Sequence, residues 1–384
     1  MQKYVKQQIR RIYGISALEA LHIAGASWVA LLAARGFSVF EIGILESIFH
    51  VVSMCFEIPS GAVADAFGRK RTMAAGEVLM ILSILGMLCS DTFWSVAAAI
   101  GISALSYNMA SGTREALAYD TLKENGQEQE YDRFASMEMV IYRLGSATAV
   151  LCAGLALILG YRWAYLLDLG MRSICLLLAL GLREPKLKEK EERNGNAKKN
   201  KAREGEDSKK DSKSSESVSE KLKNCVVESL GFLRSHPETI GIIALNSLIG
   251  AVATLLLFFL QARLPVYGLK TGLLGPALFF MSVGAACGAK AITFFRKKGY
   301  KSIAVISICG VLAAFGILYT KQPYLICLGG FLAAFSDDFL EVRTDVLLNE
   351  KIPSAQRATL ISVCSFAFSV VMIFLSPLIS RVIP

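Results

Sequence analysis

Glu19 and His22 lie three residues apart in an otherwise apolar run, and Glu46, His50, Ser53 and Glu57 follow in the next run at i, i+4, i+7 and i+11. On a helix each set falls on one face. A histidine between carboxylates can load and release a proton near neutral pH, so Glu19, His22, His50 and Glu57 offer a proton relay. The plainer alternative is a pair of buried, hydrogen-bonded histidines. Arg114 and Glu115 precede Glu138 and Arg143, and the four make either a cross-helix ion-pair set or a site for a cation or proton. Asp168 and Arg172 stand one turn apart, which permits mutual neutralisation within a helix or contact with a substrate. Asp337 and Glu341 are also one turn apart with no cation between them, a spacing that leaves a protonatable pair unless Arg143 or Arg343 reaches it.

What these groups mean depends on the elements that carry them. The 384 residues are 54% hydrophobic with a mean hydropathy of +0.48, too apolar for a soluble chain of this length. The apolar residues come in blocks of about 20 or more, the length that crosses the hydrocarbon of a bilayer. The expected spans are 12–34, 39–62, 72–90, 93–120, 133–159 and 162–182, then 238–262, 271–295, 302–320, 323–347 and 356–383. The architecture is therefore all-α and polytopic, and the candidate residues above stand inside membrane segments, where a charge must face a cavity or a partner. The N-terminus is basic and polar, and the first run is too long for a cleaved signal core. Cysteines are scattered, and all but Cys225 fall within apolar runs, so neither a disulfide framework nor a metal site is expected.

Between the two sets of spans, residues 183–223 hold fourteen Lys/Arg against ten Asp/Glu and no aromatic residue. Such a stretch cannot bury enough apolar surface to fold. The chain is thus divided into a six-span bundle (1–182), a disordered cytoplasmic linker (183–228) and a second bundle (229–384). With the N-terminus inside, Arg69, Lys70, Arg71, Lys123, Arg133, Arg296, Lys297, Lys298, Lys301, Lys351 and Arg357 all fall in cytoplasmic turns. The formal charge of +9 has this bias as its cause, and nucleic acid is not an expected partner. Ser111–Asp120 aligns without gaps on Ser336–Asp345, which makes the halves similar bundles related about an axis normal to the membrane.

The stretch Gly61-Ala-Val-Ala-Asp65-Ala-Phe-Gly68-Arg69-Lys70-Arg71 joins the second and third runs. Its spacing G-x-x-x-D-x-x-G-R-K, between membrane segments and after Glu57-Ile-Pro59-Ser60, resembles the loop motif of the major facilitator superfamily of secondary transporters. The resemblance implies that Gly61, Asp65, Gly68, Arg69, Lys70 and Asp120 latch the bundles on the cytoplasmic side, with Asp345 in a second latch. It implies six plus six helices, whereas eleven are counted, so the twelfth is missing: either the chain is a piece of a longer product or the protein manages without it. The function implied is alternating-access transport of a small-molecule substrate, driven by protons, in the plasma (bacterial inner) membrane. The look is closest to bacterial multidrug or tetracycline-type exporters, although Gly145 and Gly154 are not followed by the exporters' Gly-Pro pair. Uptake of a small nutrient or anion through Arg114, Arg143 and Arg172 is the rival within transport, and a truncated, non-transporting membrane protein the rival outside it. No nucleotide-binding loop, cofactor or enzymatic nucleophile is expected.

Overall fold

The computed structural model describes residues 3–185, 237–295, 298–351 and 357–383. The linker beyond Pro185 and the Asp65 side chain lie outside the described residues, as do Arg296 and Lys297. Helices α1 (Lys3–Ala20), α2 (Ile23–Ala26), α3 (Trp28–Ala34), α4 (Val39–Phe67), α5 (Arg69–Cys89), α6 (Phe93–Ala110), α7 (Thr113–Glu124), α8 (Tyr131–Leu151), α9 (Ala153–Leu159) and α10 (Tyr161–Leu180) make the first bundle. The second holds α11 (Pro237–Val266), α12 (Leu274–Ala291), α13 (Tyr300–Leu318), α14 (Pro323–Lys351) and α15 (Arg357–Val382). Among the described residues there is no strand, and eight helical stretches are long and apolar enough to cross a membrane. Helices α8 and α9, bent by 47°, make a ninth together.

Several expected spans are interrupted. The first, 12–34, breaks at His22 and again at Ser27, and the fourth breaks at Ser111–Gly112, where Gly112 takes φ +69°. Ser336–Asp345, its partner in the sequence alignment, runs without interruption inside α14. Where helices begin cleanly the sequence says why. Ser38 caps α4 through a reciprocal pair with Glu41, and Thr92 caps α6 through Ser95. Between α4 and α5 the chain reverses at Gly68 alone, at φ +92°, a conformation that a side chain resists.

Inside the second bundle, α12 packs on α14 through glycines. A Cβ on Gly284 would lie 2.2 Å from the Phe331 carbonyl oxygen, and one on Gly288 would lie 2.1 Å from that of Phe335. Small residues at such contacts let backbones approach without a hydrophobic driving force between helices.

The bundles meet at the end that carries the turns at Gly36, Gly160 and Gly268. There Ser47 Oγ donates to Ile373 O (2.8 Å), Ser376 Oγ donates to Gly43 O (2.9 Å), and His50 Nδ1 lies 3.4 Å from Ser369 Oγ. Gly275 faces the Leu151 carbonyl and Gly154 that of Thr271. Trp28 meets Phe258 edge-on with ring centroids 6.2 Å apart, and Arg381 sits over the Phe40 ring. We call this the closed end.

Candidate functional site

Above the closed end lies a cavity of 740 Å³, within the range of small-molecule sites. Its walls come from the first bundle, except Phe258 of α11. Trp28, Phe49, Tyr107, Tyr142 and Tyr165 give it an aromatic lining, and Tyr107 and Tyr142 are both exposed to it. Toward the other end the lining continues through Met73, Gly112 and Ala135, and we call this the open end.

One wall is charged. Glu19 of α1, Glu77 of α5, Arg114 of α7, Glu138 of α8 and Arg172 of α10 converge from five helices. Arg114 is the hub. Its Nη1 pairs with Glu19 Oε2, its Nε lies 2.5 Å from Glu138 Oε1, and Glu115 is 3.7 Å from its Nη2. Arg172 Nη1 stands 3.4 Å from both Glu19 Oε1 and Glu77 Oε2. Ser16 Oγ donates to Glu138 (3.0 Å) and completes that carboxyl's shell. Buried charges of this kind persist only when paired and hydrogen-bonded.

Asp168 does something else. The break before α2 leaves the N–H groups of Ile23, Ala24 and Gly25 without helical partners, and all three donate to the Asp168 carboxylate at 2.8, 3.1 and 3.2 Å. An anion at a helix N-terminus satisfies orphan donors and meets the positive end of the helix dipole. The expected intrahelix pair of Asp168 with Arg172 is therefore corrected. The broken span takes the acid, and Arg172 turns to Glu19 and Glu77. His22 caps the same break, with its ring over Gly25, where a Cβ would fall 2.0 Å from Nδ1.

The remaining candidates are spread out. His50 pairs with Glu46 (3.3 Å) one turn away and reaches Ser369 across the bundle interface. Glu57 is exposed nearer the open end. Among the described residues no hydrogen bond links Glu19 or His22 to His50, nor His50 to Glu57. In α14, Asp337 packs against Gly250 of α11, and Arg143 of the first bundle acts electrostatically on Asp338 and Glu341. Asp345 is exposed on the same helix.

At the reversal between α4 and α5, Arg69 pairs with Asp120 and donates to Ala116 O (2.5 Å). Glu184, just past α10, accepts from the Arg69 and Lys70 backbone N–H groups at 2.8 Å each, an acidic cap on α5 supplied from outside the helix. Neither Glu184 nor Glu77 was among the expected site residues. Glu77 carried a signal all the same: it is the one acid in the run Thr72–Ser90, and a lone acid in a membrane span demands a partner.

A sequence model described as the Major Facilitator Superfamily matches residues 13–381. YxaM of Bacillus subtilis (strain 168), described as an uncharacterized MFS-type transporter, is 30% identical over 105 residues, 27% of this chain and 26% of that relative. The match thus spans about a quarter of the relative's length. Among solved structures, the nucleoside transporter NupG superposes with a TM-score of 0.70 at 14% identity, over 99% of this chain and 91% of that one. The D-xylose-proton symporter gives 0.66 at 13% identity over 98% and 90%. A bacterial homolog of the human lysosomal transporter Spinster gives 0.71 at 14% over 98% and 82%. At these identities the likeness speaks for the fold alone.

Proposed function

The chain belongs to the Major Facilitator Superfamily, and on that premise we propose that it exports lipophilic organic cations in exchange for protons, by alternating access with the open end facing the cytoplasm. The observation that carries this reading is the chemistry of the cavity. Glu19, Glu77 and Glu138, with the partly exposed Glu115 beside them, face only Arg114 and Arg172, so the carboxyls outnumber the guanidiniums and leave negative charge uncompensated when all are ionised. Aromatic rings opposite that wall suit a flat or bulky apolar cation, held by ring faces and by the surplus charge together. The basic turn at Arg69–Arg71 supports the assignment of the open end to the cytoplasm.

Uptake of an anion draws on the same guanidiniums and is less well supported. Arg114 and Arg172 are already covered by carboxyls, so an anion entering there would meet Glu19 and Glu77 first. Arg69, Asp120 and the adjoining Asp65 are read as the latch that holds the alternate state. An Arg69→Ala variant is expected to insert normally and to transport about tenfold more slowly or worse, since removing a contact of about 1.4 kcal/mol that only the alternate state completes shifts a two-state equilibrium tenfold.

The test uses inside-out vesicles with an imposed proton gradient and a pH-sensitive dye. Adding tetraphenylphosphonium should dissipate the gradient with the unmodified protein and scarcely at all with Arg69→Ala. A response to small anions and none to tetraphenylphosphonium would replace this reading with uptake. Silence toward every probe, with the protein shown to be inserted, would remove transport.

A further inference from the structure

Glu77 is 5% exposed, and its carboxyl shares one guanidinium nitrogen with that of Glu19, each oxygen 3.4 Å from Arg172 Nη1. The two carboxyls also stand within hydrogen-bonding reach of each other. An ionised carboxylate has no donor, so two of them cannot hydrogen-bond. A direct carboxyl–carboxyl bond needs a proton between them. The charge count around the pair requires the same thing. Glu19 Oε2 is committed to Arg114, whose Nε faces Glu138, and Glu138 is further held by Ser16. Asp168 is occupied by three backbone N–H groups. Among the described residues, Cys175 on α10 interacts with Glu77, His22 interacts with Glu19 and Arg172, and Glu115 on α7 faces Arg114, and none of them supplies a counter-cation while His22 is neutral. The Ser106 hydroxyl on α6, the neighbouring helix, donates to Gly76 O and leaves the carboxyl alone.

We infer that Glu19 and Glu77 hold one exchangeable proton between them, and that this pair is the place where the chain carries the proton it exchanges for its substrate. The inference rests on the exchange reading above for its second half only. With the proton present, the Glu19–Glu77 pair carries one negative charge that Arg172 balances, while Arg114 faces Glu138 and Glu115, so the cluster of the pair and Arg172 is neutral. With the proton gone and an organic cation in the cavity, it is neutral again. The empty, fully ionised cluster carries one uncompensated buried charge, which is costly in a low-dielectric interior. Proton and cation thus displace each other at one wall. The state with neither is disfavoured, and this is what makes exchange obligatory.

The experiment is infrared spectroscopy of the purified full chain in lipid, joined to transport in vesicles, for the unmodified protein and Glu77→Gln. Glutamine keeps the size of the side chain, and its amide can donate to Glu19 where the shared proton did. At neutral pH the unmodified protein should show a protonated-carboxyl C=O band that is lost in Glu77→Gln and moved along the pH axis in Glu77→Asp. In vesicles, Glu77→Gln should lose proton-driven accumulation of tetraphenylphosphonium about tenfold or more. An unchanged band in Glu77→Gln overturns the shared proton, as does proton-driven accumulation at the unmodified level. If the band behaves as expected and the unmodified protein moves no probe against a proton gradient, the shared proton stands and the exchange reading falls. Should Glu77→Gln fail to insert, a band in Glu77→Asp identical in height and pH midpoint to that of the unmodified protein overturns the assignment equally.

Discussion

Replacing Arg114 with glutamine is expected to destabilise the first bundle by about 3–5 kcal/mol, the range for removing one partner of a buried ionic set. Glu19 and Glu138 both lean on this guanidinium, and Glu115 adds a third contact. Without it Glu19 keeps only Arg172, and Glu138 keeps only the Ser16 hydroxyl. Lysine should rescue little, because one ammonium cannot meet carboxyls arriving along Nε and Nη1 from two helices. Neutralising the whole set should do better: Arg114→Met joined to Glu19→Gln and Glu138→Gln removes the charges together and should recover most of the lost stability while transport stays absent. Thermal unfolding in lipid or detergent reads all of these. A single Arg114→Gln variant as stable as the unmodified protein would show that the cluster is solvated and not a buried network.

The second large effect lies at the closed end. A Cβ on Gly275 would fall 1.9 Å from the Leu151 carbonyl oxygen, closer than any real contact, and the obstacle is backbone, not a side chain that can swing away. Gly275→Ala is therefore expected to push α12 off α8 and to favour the alternate state, in which these helices separate. Cys152 follows Leu151 directly and is partly buried. Its alkylation rate, read by mass spectrometry at that residue alone, should rise about tenfold, the signature of a shift of roughly 1.4 kcal/mol between two states. An unchanged rate would mean that the two helices move apart too little to matter for closure. Gly284 and Gly288 make equally tight contacts, but within the second bundle, so substitutions there should unfold the protein and leave the switching equilibrium alone.

Much of this was legible from residue types. Nine of the eleven expected runs, the turn at Gly68 and the pairing of Arg69 with Asp120 follow from hydropathy, glycine and charge, while among the described residues the first and tenth runs, broken or rich in charge, fall short of an apolar span. Arg114 with Glu138 is one of the two readings that neighbouring spans allow, and Glu46 with His50 is visible in an i, i+4 spacing. Asp168 was not legible as a cap, since its partners are backbone N–H groups freed by a break at His22 that no proline announces. Spacing rules presume a continuous helix, and once α1 stops at Ala20 they assign Arg172 to the wrong carboxyl. Glu77 escaped for the opposite reason. It has no charged neighbour in sequence, and its partners come from α1 and α10, so only the assembled bundle gives it a role.

The edge-on contact of Trp28 with Phe258 makes the protein its own optical gauge. The chain holds three tryptophans, and Trp94 and Trp163 are 76% and 65% exposed. Among the described residues, Trp28 is the tryptophan that meets a ring from across the interface. With Trp94 and Trp163 replaced by phenylalanine, the remaining emission reports the polarity around one indole. Parting of the bundles trades the Phe258 ring for water and draws the spectrum to longer wavelength, so the closing and opening of the cavity can be followed in real time without an attached label.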